Sequence, residues 1–323
     1  MKKLVLISAL LTAVIFVTAQ NTYKDFNYDK IVKDKLGPVK KDLRSGKVFI
    51  SDFVLKQTTA VSASAQGFGG MTGGNSKTSL ALALSGITEA NYQKIVDELY
   101  NEMISQLKAL GVEIINEDKA LKAFEENDFK EKIIAEKIGG KAKYLTKKTL
   151  ALAEFRPSNK LIITRDQKDL NSMANFSAQM AEQKTGRKMA KSLDAAIIKF
   201  EFTIGIADIK TRNSVISDIS AVKAWPMLKV RSRATIYGGK RGAIGNLYTK
   251  KEINKINHWV INLSKKGRID AWDKGQSGNK YMGWSRTKAT NPIVANEAIF
   301  LNELKGIISN LNKVYLADIK DKM

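Results

Sequence analysis

The segment from Trp259 to Arg286 holds three of the chain's four tryptophans, Trp259, Trp272 and Trp284, together with Tyr281 and the cations Arg268, Lys274, Lys280 and Arg286. Aromatic rings beside cations on a glycine-containing stretch suit stacking on sugar rings or bases, with the cations reaching phosphate or carboxylate groups. The same pattern also suits an excursion that tucks its tryptophans into a core. A second basic feature lies upstream. Lys229, Arg231 and Arg233 alternate with Leu228, Val230, Ser232 and Ala234. On a strand this puts the cations on one face and the other residues on the buried one. Lys240 and Arg241 in the following turn extend the stripe.

Other chemistries fit the sequence poorly. Gly69 and Gly74 have the spacing of a phosphate-binding loop, but Asn75 and Ser76 separate Gly74 from Lys77. The lysine of such a loop has to follow its last glycine to reach the phosphates. His258 is the only histidine, so a Ser–His–acid triad would have to use it. Its neighbours Ile256, Trp259 and Val260 make it a packed or surface residue instead. The absence of cysteine excludes a disulfide, a thiolate nucleophile and a thiolate metal site. A zinc site would then need carboxylates for every ligand but one. No spacing among the 32 Asp and Glu residues picks out a glycosidase pair, so a carboxylate-dependent hydrolase is the least favoured function. The sequence thus predicts no catalytic residue, no cofactor and no metal.

The N-terminus predicts an address. Lys2 and Lys3 precede an apolar run from Leu4 to Val17, and Val17-Thr18-Ala19 supplies small residues for a signal-peptidase site. The run is shorter than the roughly 20 residues of a spanning helix, so residues 1–19 read as a cleavable secretory signal. No later stretch is long and apolar enough to span a bilayer. Export places the mature chain in the periplasm, at the outer-membrane periphery or outside the cell. Without Lys2 and Lys3 the net charge of +22 becomes +20. Such a surplus creates a field that draws in polyanions. A compositional habit of lysine-rich sequence is the alternative reading.

These candidate residues need a framework. Residues 20–46 read as a basic leader with one short helix at most, and Lys47 to Leu55 as a largely buried strand. Residues 57–88, rich in Ser, Thr, Gly and Ala, read as a long flexible loop. Tyr92, Ile95, Val96, Leu99, Met103 and Leu107 have helical periodicity, with Gly111 as a stop and a short strand over 112–115. That order predicts a parallel strand pair joined by a crossover. Asp118 is the predicted cap of a helix over 119–126, and another short helix fits 129–138. Leu161 to Thr164 reads as a strand, and Asp169 as the cap of a long helix ending near Ala190. Strands are predicted over 195–207 and 228–237, the second forming a hairpin with 243–249. An insertion spans 250–290, a last helix runs from Asn296 to about Ala317, and 319–323 is a tail. The fold class is α/β: a single domain, 47–318, whose mixed sheet is packed by helices, with a long Gly-rich loop and a Trp/Lys-rich excursion.

This order of elements resembles the periplasmic α/β domain shared by the curli secretion-channel family and the N-terminal domain of the Tol–Pal translocation protein TolB. Four places carry the resemblance: Asp52-Phe53 on the first strand; Leu110-Gly111-Val112-Glu113-Ile114-Ile115 after the helix; Ala190-Lys191-Ser192-Leu193-Asp194-Ala195 at a helix-to-strand junction; and the hairpin from Ala234-Thr235-Ile236-Tyr237 through Gly242 to Leu247. The curli channel subunits are lipidated on a cysteine, and this chain has none. What the resemblance implies is therefore an envelope-associated domain that binds or scaffolds, without an outer-membrane pore. The expected function is a non-catalytic, exported protein that binds or scaffolds an envelope component. The alternative is a binder of anionic polymer (glycan, lipopolysaccharide or nucleic acid) through the aromatic and basic segment. Expected partners are an envelope protein or an anionic envelope polymer, with a homo-oligomer left open.

Overall fold

The computed structural model describes residues 27–68, 75–126, 139–140, 143–146, 149–158, 160–161, 172–212, 221–240, 243–255, 258–263, 280–281, 284–285 and 291–323. The predicted signal, the 129–138 helix, the strand beyond Leu161 and the Asp169 cap lie outside them. One mixed sheet of 11 strands is packed by helices, as the sequence predicts for a single α/β domain.

The chain enters through helix α1 (Tyr28–Ile31), strand β1 (Val32–Lys35), a 3-10 turn (Gly37–Val39) and helix α2 (Lys40–Leu43). The described part of the expected leader is thus built into the domain. Val32, Leu36, Val39 and Leu43 are core residues, and β1 pairs antiparallel with β9 (Ile244–Thr249). Close approach here depends on Gly245, where a Cβ would lie 2.5 Å from Val39 Cγ2.

Strand β2 (Lys47–Phe68) is the spine. It runs parallel to β7 (Ala196–Arg212) over Val48–Gln57, then pairs antiparallel with β3 (Asn75–Ser85) over Ala60–Phe68. Its other edge takes β6 (Leu150–Phe155) and, in parallel, β4 (Glu113–Ile114). Most of the expected 57–88 loop is therefore strand. Ala60, Ala81, Ala83 and Ala151 pack together as a buried patch of their own. Small side chains let neighbouring strands be covered closely, so a composition that reads as a loop serves a sheet. Residues 69–74 lie outside the described set.

Helix α3 (Glu89–Ala109) follows, N-capped by Thr88 Oγ1 and closed at Gly111 with φ +78°. It leads into β4, which gives the expected parallel pair with β2. Helix α4 (Glu117–Glu126) is capped by Asn116, whose Oδ1 accepts from the Lys119 amide, rather than by Asp118. Strand β5 (Lys143–Thr146) pairs with β6, and helix α5 (Ser172–Leu193) leads into β7. Strand β8 (Ala221–Tyr237) forms long hairpins with β7 and β9, and β10 (Ile253–Lys255) pairs with its middle. Strands β11 (Lys280–Tyr281) and β12 (Trp284–Ser285) make a separate ribbon. Strand β13 (Asn291–Val294) returns parallel to β3, and α6 (Glu297–Lys322), capped by Asn296, closes the chain. Ile319 is buried, so the expected tail belongs to the last helix.

One sheet face carries the main core. Phe53, Phe200, Phe202, Val230, Ala234 and Ile236 meet Val96, Leu99 and Met103 of α3 and Leu304, Ile307 and Leu311 of α6. A smaller core on the opposite face joins Phe49 and Ile197 to Ala120 of α4 and to Met189 and Leu193 of α5. Among the described residues no helix is long and apolar enough to cross a membrane.

Helix α6 also carries a titratable group. Burial pushes the Glu303 carboxyl up to about 7, with Lys255 only partly opposing it. Its Oε2 finds no hydrogen-bond partner among the described residues. The folded chain favours the neutral form, so this contribution to stability is present below the unfolded carboxyl value of about 4.3 and is lost as pH rises towards 7. Glu303→Gln should therefore flatten the profile. Between about pH 5 and 8 the variant's melting temperature should fall by at least about 2 °C less than that of the wild type in thermal scans.

Candidate functional site

The second helical layer covers only part of its sheet face. Beside α5, strands β2, β7, β8, β9 and β1 leave a polar cleft of about 740 Å³. Because this stretch of sheet is not buried under an apolar helix, its alternate positions are polar. Registers place Lys199 opposite Thr235, Glu201 opposite Arg233, and Thr203 opposite Arg231. Arg233 in turn lies opposite Tyr248, and Asn246 opposite Lys35. The cleft is lined by five cations, Lys35, Lys56, Lys199, Arg231 and Arg233, against two anions, Glu182 and Glu201, so its wall carries +3.

Two of the cations are committed. Lys199 Nζ lies 2.7 Å from Glu182 Oε1, and Lys56 Nζ lies 3.0 Å from Glu201 Oε2. Burial opposes the charge on Lys199, but Glu182, Asp52 and Glu201 outweigh it and hold the ammonium above its ordinary range. Burial likewise opposes the charge on Glu201, and Lys56 and Lys199 reverse the balance and lower its pKa. Tyr237 closes this end of the cleft. Burial and then Glu182 push its hydroxyl up, so it stays protonated.

The other three cations keep capacity. Arg231 pairs through Nε with Glu252 Oε1 at 3.0 Å, yet its side chain is 66% exposed. A guanidinium has five N–H donors, and among the described residues the other four of Arg231 meet no ion-pair partner. Among the described residues neither Arg233 nor Lys35 forms an ion pair. Lys35 Nζ instead sits 5.8 Å from the centre of the Tyr248 ring, a cation–π contact that holds it beside Arg233. Thr203, Thr235, Asn246 and Gln183 add hydroxyl and amide groups around them. This arrangement can hold oxyanions without unpairing Lys56 and Lys199.

The residues expected from the sequence divide sharply. Arg231 and Arg233 line the cleft, on the exposed face that their alternation predicts. Lys229 shares that face but is engaged by Asp208 Oδ1 at 3.3 Å and Glu252 Oε2 at 2.8 Å. Lys240 is exposed in the turn beyond β8. Trp259 is fully buried, edge-on to Phe300 with ring centres 5.1 Å apart, because α6 packs over it. It is therefore a core residue and no ligand platform. Lys280, Tyr281 and Trp284 fall on the β11–β12 ribbon. Arg268, Trp272, Lys274 and Arg286, like Arg241, lie outside the described residues. His258 is exposed. Among the described residues no group of three or more His, Asp or Glu side chains could hold a metal ion.

Sequence reasoning missed Lys35, Lys56, Lys199, Glu182 and Glu201. A signal existed for two of them, since Lys199 and Glu201 alternate with Phe200 and Phe202 as cleanly as the arginines do on β8. Against the same geometry, no protein family, curated protein or solved structure matches this chain.

Proposed function

We propose that this chain is an exported, non-catalytic protein of the cell envelope that binds an anionic envelope component in the cleft over β8. The observation that carries the reading is the set Arg231, Arg233 and Lys35: among the described residues Arg233 and Lys35 form no ion pair, and Arg231 keeps donors beyond its contact with Glu252, in a cleft whose lysines Lys56 and Lys199 are paired with Glu201 and Glu182. The signal-like N-terminus supports export, and the resemblance to the curli-channel and TolB domains supports an envelope setting. A hydrolytic reading is less favourable chemically. Glu182 and Glu201 share the cleft, but each is held by a lysine, and a lowered Glu201 is the reverse of the raised general acid that glycoside cleavage needs.

Co-sedimentation of the processed chain with outer membrane, wall sacculi and released polysaccharide, across a salt series, tests this. Retention by one fraction should persist at about 0.5 M salt, where exposed charges are screened beyond roughly 4–5 Å. Retention by every anionic fraction, vanishing with salt, would show that only the overall +20 charge acts.

A further inference from the structure

We infer that the ligand of this cleft is an acidic polysaccharide laid along β8, its successive oxyanions gripped by the guanidinium forks of Arg231 and Arg233. The inference rests on the anion-binding reading above and narrows it to one class of polymer.

Three observations lead there. Arg231 and Arg233 are two apart on one strand and point into the same cleft, so their Cα atoms are spaced by roughly 6.6–6.8 Å. Two planar forks at a regular interval favour a linear chain with repeated carboxylate or phosphate groups over a single compact anion. Around the forks the cleft is rich in short polar side chains: Thr203 and Gln183 can donate to and accept from sugar hydroxyls, and Thr235, whose hydroxyl donates to Asn246 Oδ1 at 3.3 Å, can accept while the Asn246 amide nitrogen donates.

The third observation separates sugar from nucleic acid. Sequence-tolerant binding of single strands relies on aromatic rings on which successive bases stack. The cleft has two aromatic rings, Tyr237 and Tyr248. Tyr237 is 5% exposed, and the Tyr248 ring faces Lys35. Trp259, the aromatic nearest in sequence to β10, is buried against Phe300. The described wall thus offers forks and hydroxyl partners but no run of open rings.

The test is calorimetric titration of the processed full-length chain at fixed ionic strength. Four probes are compared: a short oligouronate, its methyl-esterified neutral form, an oligosaccharide phosphate of the same length, and a single-stranded oligonucleotide of equal charge. At least one acidic saccharide should bind, the neutral ester should not, and the oligonucleotide should bind at least tenfold more weakly. Which saccharide binds tells carboxylate from phosphate. Arg233→Lys keeps the charge but loses the fork, and should weaken saccharide binding about tenfold, as should Arg231→Ala. Both side chains are exposed, so the variants should melt with the wild type, and scans verify this. Equal binding of the oligonucleotide, or an Arg233→Lys variant that binds like the wild type, would overturn the inference. If no saccharide binds while one envelope fraction still retains the chain in high salt, the saccharide inference falls and the broader function stands. If neither occurs, both fall.

Discussion

Asp52→Ala should destabilise the folded chain by about 3 kcal/mol, the lower end of the cost of breaking a buried ion pair, because Glu154 remains as a partner of Arg156. Asp52 is fully buried on β2, where a bulge between Ile50 and Asp52 resets the register against β7. Its carboxylate accepts from Arg156 Nε at 3.0 Å and from Nη2 at 3.3 Å, while Arg156 Nη1 donates to Glu154 at 3.0 Å. Burial works against the guanidinium's charge, but Asp52 and then Glu154 outweigh it and raise its pKa. Without Asp52 the guanidinium keeps one carboxylate, and Lys199 loses part of the field that holds its own charge. Urea unfolding should show the loss as a lower midpoint with an unchanged slope. Asp52→Asn should lose most of the same stability, because the missing feature is charge rather than shape. A combined Asp52→Leu, Glu154→Leu, Arg156→Leu variant should recover part of the loss, since a buried charged triad exchanged as a whole for apolar groups costs far less than a broken one. An Asp52→Ala protein as stable as the wild type would show that the pair contributes nothing.

Phe53→Ala should cost a comparable amount, about 3–5 kcal/mol, through a cavity and lost contact area. Phe53 sits one residue beyond Asp52 and points to the opposite sheet face. Its ring centre lies 5.4 Å from that of Phe202, 5.7 Å from Tyr100 and 6.2 Å from Phe200. It therefore joins β2, β7 and α3, the elements on which both the main core and the floor of the cleft depend. Phe53→Leu, which fills most of the space, should cost much less. Thermal and urea unfolding of the two variants side by side measure the difference. A loss for Phe53→Ala below about 1 kcal/mol would contradict the packing described.

Much of the framework was legible because local pattern and tertiary burial agree. Of the periodic apolar positions of α3, Tyr92, Val96, Leu99, Met103 and Leu107 are buried and Ile95 is half-buried, and the alternation of β8 places Val230, Ala234 and Ile236 in the core and Arg231 and Arg233 outside. Legibility ended where distant segments decide. Little local marks 57–68 and 75–85 as a hairpin, since their strand-forming Thr and Val residues are diluted by Gly and Ala, which are weak strand formers; the pairing of Ala60 with Ala83 through Phe68 with Asn75 supplies the order. The leader reads as polar because Val32, Leu36 and Val39 are spread thinly, and their burial needs β9 and the missing side chain of Gly245. Trp259 reads equally as a ligand platform or as core because the sequence does not show Phe300 across from it.

The candidate site follows the same division. Arg231 and Arg233 came from alternation within one strand. Lys35 arrives through the β1–β9 pair and Lys56 through the parallel β2–β7 pair. Parallel neighbours are joined by long crossovers, so their juxtaposition leaves no short-range trace in sequence.

The most direct test of the account compares the wild type with an Arg231→Ala, Arg233→Ala variant on the envelope fraction that retains the chain in high salt. The variant, folded by its melting curve, should be retained at least about tenfold less, a loss of roughly 1.4 kcal/mol or more of binding free energy. Equal retention of a folded variant would contradict it and remove the cleft from the protein's function.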